Sequence, residues 1–307
     1  MNARRGAVNA ADSRARETMA CAAPRNIYLD LGVNWCNTLQ LYRDIPEARS
    51  KSHAAAPWEV WGFEAAPLIM PFAERCAHAL SSGLPIPTPP IPPAGSTKDL
   101  WRYAKSCDCE RYKKAPKRDL GAMRNCMVGR LRGALDALRP DPTLTSNASL
   151  VAARLALAQQ CPPAGQTSRT TLVPAAASSA AGELSLSASP ENVLYGGGGR
   201  GRGARVKVQS VDAVGWMRRS FAERDLLILK MDIEGAERGL LPRLADTGAI
   251  KLVDVLLWEC HLDSSWCRKW TTKAKAANPS LKVYVEPYPW AKRVPDFVAN
   301  RGAWCQT

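Results

Sequence analysis

No stretch of this 307-residue chain approaches the ~20 apolar residues needed to cross a bilayer, and no signal-peptide core is evident. A soluble protein is therefore expected, cytoplasmic by preference, with an organellar or secretory lumen as alternatives. Nothing repeats internally, which excludes solenoids and propellers. The ten cysteines form no pair of C-x-x-C motifs, and Cys107, Cys109 and Cys126 lack a fourth zinc ligand at standard spacing. Five of the ten fall in or beside predicted core elements and read as ordinary buried thiols. A disulfide within the 81–170 region would instead point to a secretory lumen, where the sequon Asn147-Ala148-Ser149 would be usable. Histidine is scarce, at three, and no RNA-binding fingerprint is present.

What is present is charge of one sign and a set of short apolar runs. A net charge of +14 makes polyanions plausible partners: nucleic acid, anionic glycans or a membrane surface. The most informative run is Leu226 to Glu237, LLILKMDIEGAE. Apolar at successive positions, it reads as a strand covered on both faces of a parallel sheet, and Gly235 permits a tight turn into a helix starting near Ala236. Asp232, Glu234 and Glu237 then cluster at the carboxyl end of a strand, the edge where open α/β sheets bind ligands. A plainer reading has these acids capping the helix and complementing its dipole.

Ile27 to Leu31 is a second such strand, with Asp30 at its tip, Gly32 and Asn34 after it, and a helix expected from Thr38. Here Gly32 lets the backbone pass close to a ligand. Trp58 to Glu64 is a third, ending in an acid about where a ribose-binding carboxylate belongs. Further strands are expected from Leu172, over Val206 to Val211, and over Leu281 to Glu286, the last antiparallel because it alternates. The order of elements predicts an α/β fold with a mostly parallel central sheet, helices on both faces and right-handed crossovers.

Four segments, IYLDLGVN (27–34), WGFEAAP (61–67), LVPAAASSAAGELSL (172–186) and LKMDIEGAERGLL with VDVLLWECH (229–261), resemble the FkbM-type methyltransferases. These use S-adenosyl-L-methionine on a Rossmann-like class I fold. The string Lys230, Asp232, Glu234, Gly235, Glu237 is the specific part of the resemblance. It implies that Asp30, Gly32 and Asn34 line the methionine and ribose of the cofactor, that Glu64 holds the ribose hydroxyls, and that Ala177 and Ser178 lie near the adenine. Asp232 and Glu234 would stand beside the transferring methyl, with Glu259 and His261 entering from the neighbouring strand tip. His261, with an ordinary pKa of ~6.5, suits a general base; Asp232 or Glu234 could instead accept the proton or bind a divalent cation such as Mg²⁺. His261 as a structural histidine bonded to a backbone carbonyl is the competing reading.

One departure stands out. Where the family has a glycine two residues after the asparagine, this chain has Cys36, and cysteine disfavours positive φ. The loop then bends differently, or cofactor affinity falls, as in a catalytically silent relative with the same fold.

The expected domain plan is a basic tail over 1–24 and one domain over 25–307, interrupted at 81–170. The interruption opens with the proline-dense GLPIPTPPIPPAG and continues as a mainly helical stretch, Lys98 to Leu138. Between Lys98 and Arg139 there are twelve Lys or Arg against five Asp or Glu, a candidate basic lid that would carry acceptor recognition. The run from Gly196 to Arg205 is a basic, glycine-rich surface loop. An acceptor hydroxyl on a sugar, glycan or small metabolite is expected, with an RNA methyltransferase as the other enzymatic reading.

Overall fold

The protein is described by a computed structural model covering residues 21, 23–36, 38–54, 56–87, 109, 122, 126, 141–162, 168–187 and 205–285. The apolar runs form the strands β1 (Asn26–Leu31), β2 (Trp58–Phe63), β3 (Ser168–Val173), β7 (Leu226–Met231), β8 (Val255–Trp258) and β9 (Lys282–Val285). They make one six-stranded sheet in the order β3-β2-β1-β7-β8-β9, parallel at every pairing. A three-stranded sheet, β4 (Ala176–Ser178), β6 (Arg205–Asp212) and β5 (Gly182–Ser187), lies beside it.

The two-residue period of the strands divides the core. Ile27, Leu29, Leu31, Leu227, Leu229 and Met231 face one side, while Tyr28, Ile228, Val255 and Leu257 face the other. The first face is covered by α5 (Ala213–Ser220), α6 (Glu237–Asp246) and α7 (Ser264–Ala277), through Val214, Leu240, Leu241 and Ala274. The second is covered by α1 (Pro46–Lys51) and α2 (Met70–Ser81), through Ala48, Phe72, Ala73 and Cys76. A Rossmann-like α/β architecture with helices on both faces is thus what the strands build. No helix among the described residues is long and apolar enough to cross a membrane.

Several expectations are corrected. The last strand is parallel, because α7 carries the chain back so that Lys282 pairs with Val255. Its alternation reflects a half-exposed edge, not its direction. No helix begins at Thr38; the chain makes a 3-10 turn at Leu41–Asp44 and then the short α1, because Pro46 holds Ile45 extended and separates the two. The interruption is also shorter than 81–170. α3 (Pro142–Ser146) and α4 (Ala148–Ala156) precede β3, Val151 joins the main core, and Trp216 donates its Nε1–H to the Leu155 carbonyl at 3.3 Å. Most of the tail 1–24, all but three residues of the 98–138 stretch, and 196–204 lie outside the described residues.

The cysteines among the described residues are not free thiols. Cys21 pairs with Cys161, Cys36 with Cys76, Cys109 with Cys126 and Cys260 with Cys267. The Cys109–Cys126 bridge removes two of the three residues weighed as zinc ligands. Spacing in sequence gives no hint of Cys21–Cys161 and Cys36–Cys76, which join segments 140 and 40 residues apart that only the fold brings together.

Candidate functional site

The strand order reverses between β1 and β7: residues leading to β2 and β3 lie on one side, those leading to β8 and β9 on the other. At such a switch point the loops leaving the two strands part and open a crevice. The β1 loop carries Gly32 and Asn34; the β7 loop carries Asp232, Glu234 and Gly235.

The two loops touch at their base. Gly32 has φ +87, and a Cβ there would lie 1.9 Å from the carbonyl oxygen of Asp232. Its glycine is therefore required by the neighbouring loop, a closer constraint than the ligand approach read from sequence. Beneath the contact lies Lys230, 2% exposed in spite of its charge. Its Nζ donates to the Gly32 carbonyl at 2.7 Å and sits 3.2 Å from Asp30 Oδ1 and 3.3 Å from Asp232 Oδ2. Although burial works against the charge, Asp30 and Asp232 hold the ammonium above its ordinary pKa. Asp30, fully buried, also accepts from Thr38 Oγ1 at 2.7 Å. Its carboxylate therefore positions the loop and does not face open space, unlike the ligand-contacting role expected of it.

Glu64 follows β2 and is 8% exposed. Its Oε2 accepts the Asn34 N–H at 2.8 Å and its Oε1 the Ala66 N–H at 2.7 Å, so it fastens the β1 loop while each oxygen keeps a lone pair for a ligand hydroxyl. Burial raises its pKa above the usual carboxylate value. Asn34 itself has φ +51 and Cys36 φ +66. The loop thus keeps the left-handed turn that glycine would favour, and Cys36 is tied by its disulfide to α2. Of the two residues expected near adenine, Ala177 is buried and Ser178 half-buried, both on β4 of the smaller sheet.

On the other side of the crevice, side chains from two strand tips converge. Asp232, Glu234 and His261 each offer one atom, and the three atoms lie within 4.8 Å of one another. His261 Nε2 is 3.6 Å from Asp232 Oδ1, 3.7 Å from Glu234 Oε2 and 3.5 Å from Glu259 Oε1. Its Nδ1 is 3.1 Å from Glu237 Oε1, whose side chain is wholly buried. Glu237 also accepts from the N–H groups of Ile233 and Gly235, at 2.9 and 2.6 Å. The helix-start role therefore falls to Glu237, and neither Asp232 nor Glu234 caps α6.

These contacts change the titration of the group. Hydrogen bonds to Glu237 and Glu259 push the His261 pKa up to about 11, so the imidazole is protonated at neutral pH. The ordinary value behind its reading as a general base does not apply in this arrangement, nor does the reading in which it bonds a backbone carbonyl. Burial and the neighbouring carboxylates raise Glu234 to about 7. Despite burial, the His261 hydrogen bond holds Glu237 below its ordinary range. Glu234 also has φ +53, an uncommon left-handed conformation for a non-glycine residue, and its side chain is exposed.

Reading from sequence brought together Asp232, Glu234, Glu259 and His261 as it should, and it missed Lys230 and Glu237 as organisers. A lysine inside an otherwise apolar run was the available signal for the first. Family models, curated proteins and solved structures yield no match to this chain.

Proposed function

We propose that this chain is an S-adenosyl-L-methionine-dependent methyltransferase of the Rossmann-like class I type, acting on a hydroxyl of a sugar, glycan or small metabolite. The observation that carries the reading is the two-sided crevice: a buried carboxylate, Glu64, fastening a left-handed loop on one strand tip, and the Asp232, Glu234, His261 and Glu259 group facing it from the other. Glu64 would take the ribose hydroxyls, and the β1 loop the rest of the cofactor's sugar and methionine. Held in line, the acceptor oxygen attacks the sulfonium methyl, the C–S bond breaks, and the hydroxyl proton passes to a carboxylate of the cluster. Glu234, its most accessible member on the β7 loop, suits that step, and the imidazolium of His261 steadies the charge that develops beside it.

A second reading of the same cluster is favoured by its donor set. The carboxylates of Asp232 and Glu234 would hold a divalent cation such as Mg²⁺ or Mn²⁺, and His261 Nε2 would join them only where the ion displaces its proton, with Nδ1 backed by Glu237. Such an ion would lower the pKa of an acceptor hydroxyl. An RNA acceptor, drawn by the chain's basic charge, is the remaining alternative for substrate.

The disulfides bear on where this chemistry would occur. Four bridges among the described residues suit an oxidising compartment, so we place the protein in a secretory lumen in preference to the cytoplasm. Calorimetric titration with S-adenosyl-L-methionine and S-adenosylhomocysteine, with and without Mg²⁺, tests the cofactor. Micromolar binding, about −8 kcal/mol, is expected; absence of binding by either compound sinks the reading.

A further inference from the structure

The opposite edge of the sheet carries a second concavity, unrelated to the crevice. The β1–β2 connection, the end of α2 and the first residues of β2 and β3 enclose about 530 Å³, within the range of small-ligand pockets. A six-residue strand rising ~3.3 Å per residue separates the two edges by about 20 Å.

The lining is of mixed character. Leu80 and the ring of Tyr42 form an apolar floor, with Tyr42 only 5% exposed. The half-buried Trp58 packs on Tyr42 with ring centroids 4.5 Å apart. Arg43 is exposed on the rim, its guanidinium 5.8 Å from the Tyr42 ring centroid, and it has no carboxylate partner among the described residues. Arg49 reaches Asp44 at 3.4 Å, but both are well exposed, so this bond yields readily to a ligand. Ser168 adds a hydroxyl at the start of β3.

We infer that this pocket binds an acidic saccharide unit, a pyranose bearing a carboxylate or sulfate. The two rings are already packed together, so no slot remains between them for a planar base. One indole face beside hydroxyl and guanidinium donors suits the C–H face of a pyranose, its hydroxyls and its anionic substituent. The inference is independent of methyl transfer, since no residue of the crevice takes part.

Isothermal titration of the full chain with a glucuronate-containing oligosaccharide tests it, alongside a neutral cello-oligosaccharide and sodium sulfate. Binding of the acidic sugar is expected to weaken at least tenfold in Arg43→Glu and to stay within twofold in Lys269→Glu, an equal charge change at an exposed position on α7. Trp58→Phe, which keeps an aromatic ring in the core, should weaken binding to a lesser degree. No binding, equal binding of the neutral sugar, equal competition by sulfate alone, or equal loss in both charge variants would overturn the assignment.

Discussion

Replacing Lys230 by methionine separates the apolar part of the β7 strand from its charge. Methionine keeps the length and much of the apolar stem, so the change is close to removal of the ammonium alone. In the native chain that ammonium lies between two carboxylates, at 3.2 and 3.3 Å, and donates at 2.7 Å to the Gly32 carbonyl. Without it Asp30, fully buried, retains only the Thr38 hydroxyl, and Oδ1 has no well-directed hydrogen bond of its own. Breaking a buried pair from one side costs on the order of 3–5 kcal/mol. At roughly 2–4 °C per kcal/mol for a domain somewhat smaller than this one, the midpoint should fall on the order of 10 °C. Differential scanning calorimetry at pH 7 reads this directly. The double variant Lys230→Met/Asp30→Asn removes the stranded charge and should recover more than half of the loss. A loss below about 1 kcal/mol in the single variant, or a double variant no more stable than the single, would refute the claim that this ion pair holds the two loops together.

Other expectations concern the same crevice. Gly32→Ala places a Cβ 1.9 Å from the Asp232 carbonyl at φ +87, so the loops must separate; urea unfolding should show a loss of at least about 1–3 kcal/mol, with cofactor binding lost as well. Glu64→Ala should chiefly weaken cofactor binding, whereas Asp232→Ala should chiefly lower turnover, and the reverse pattern in binding and rate assays would overturn both roles. Because burial raises the Glu64 pKa above 4.5, its carboxylate protonates earlier than an ordinary one as the solution is acidified. Cofactor affinity measured by calorimetry should thus decline already above that pH, while Glu64→Gln binds weakly and with little pH dependence there. Cys76→Ser releases Cys36 from α2 and leaves a non-glycine residue at φ +66 without its tether; cofactor affinity should fall, and Cys36→Gly in the same background should restore it.

Much of this arrangement was legible in the chain itself. A covered parallel strand is apolar along its length, so β1, β2 and β7 announce themselves, and the acids that end them must fall at one sheet edge. Contacts between edges were not legible. Nothing local distinguishes Asp30, turned into the core toward Lys230, from Glu64, which fastens a loop and keeps lone pairs free. His261 looked like a base because an isolated imidazole has a near-neutral pKa; of the carboxylates that shift it, Glu259 is two residues away, but the foremost, Glu237, stands 24 residues earlier in sequence. The direction of β9 was misread for a related reason, since alternation reports exposure, and direction is set by the crossover through α7. Cys36 showed where the loop departs from glycine, but its bridge to Cys76 depends on how α2 packs.

The placing of β1 at the centre of the sheet also constrains how the protein is made. Its partner on one side, β2, pairs Asn26 with Trp58, 32 residues on, but its partner on the other, β7, pairs Asn26 with Leu226 and so emerges 200 residues later. Until then the main sheet can consist only of β3-β2-β1, with the inner edge of β1 unpaired and Asp30 without Lys230. Synthesis from the amino end therefore leaves the central edge of a half-sheet unpaired, the kind of edge that other strands can template on, and the crevice comes into being only when β7 closes it.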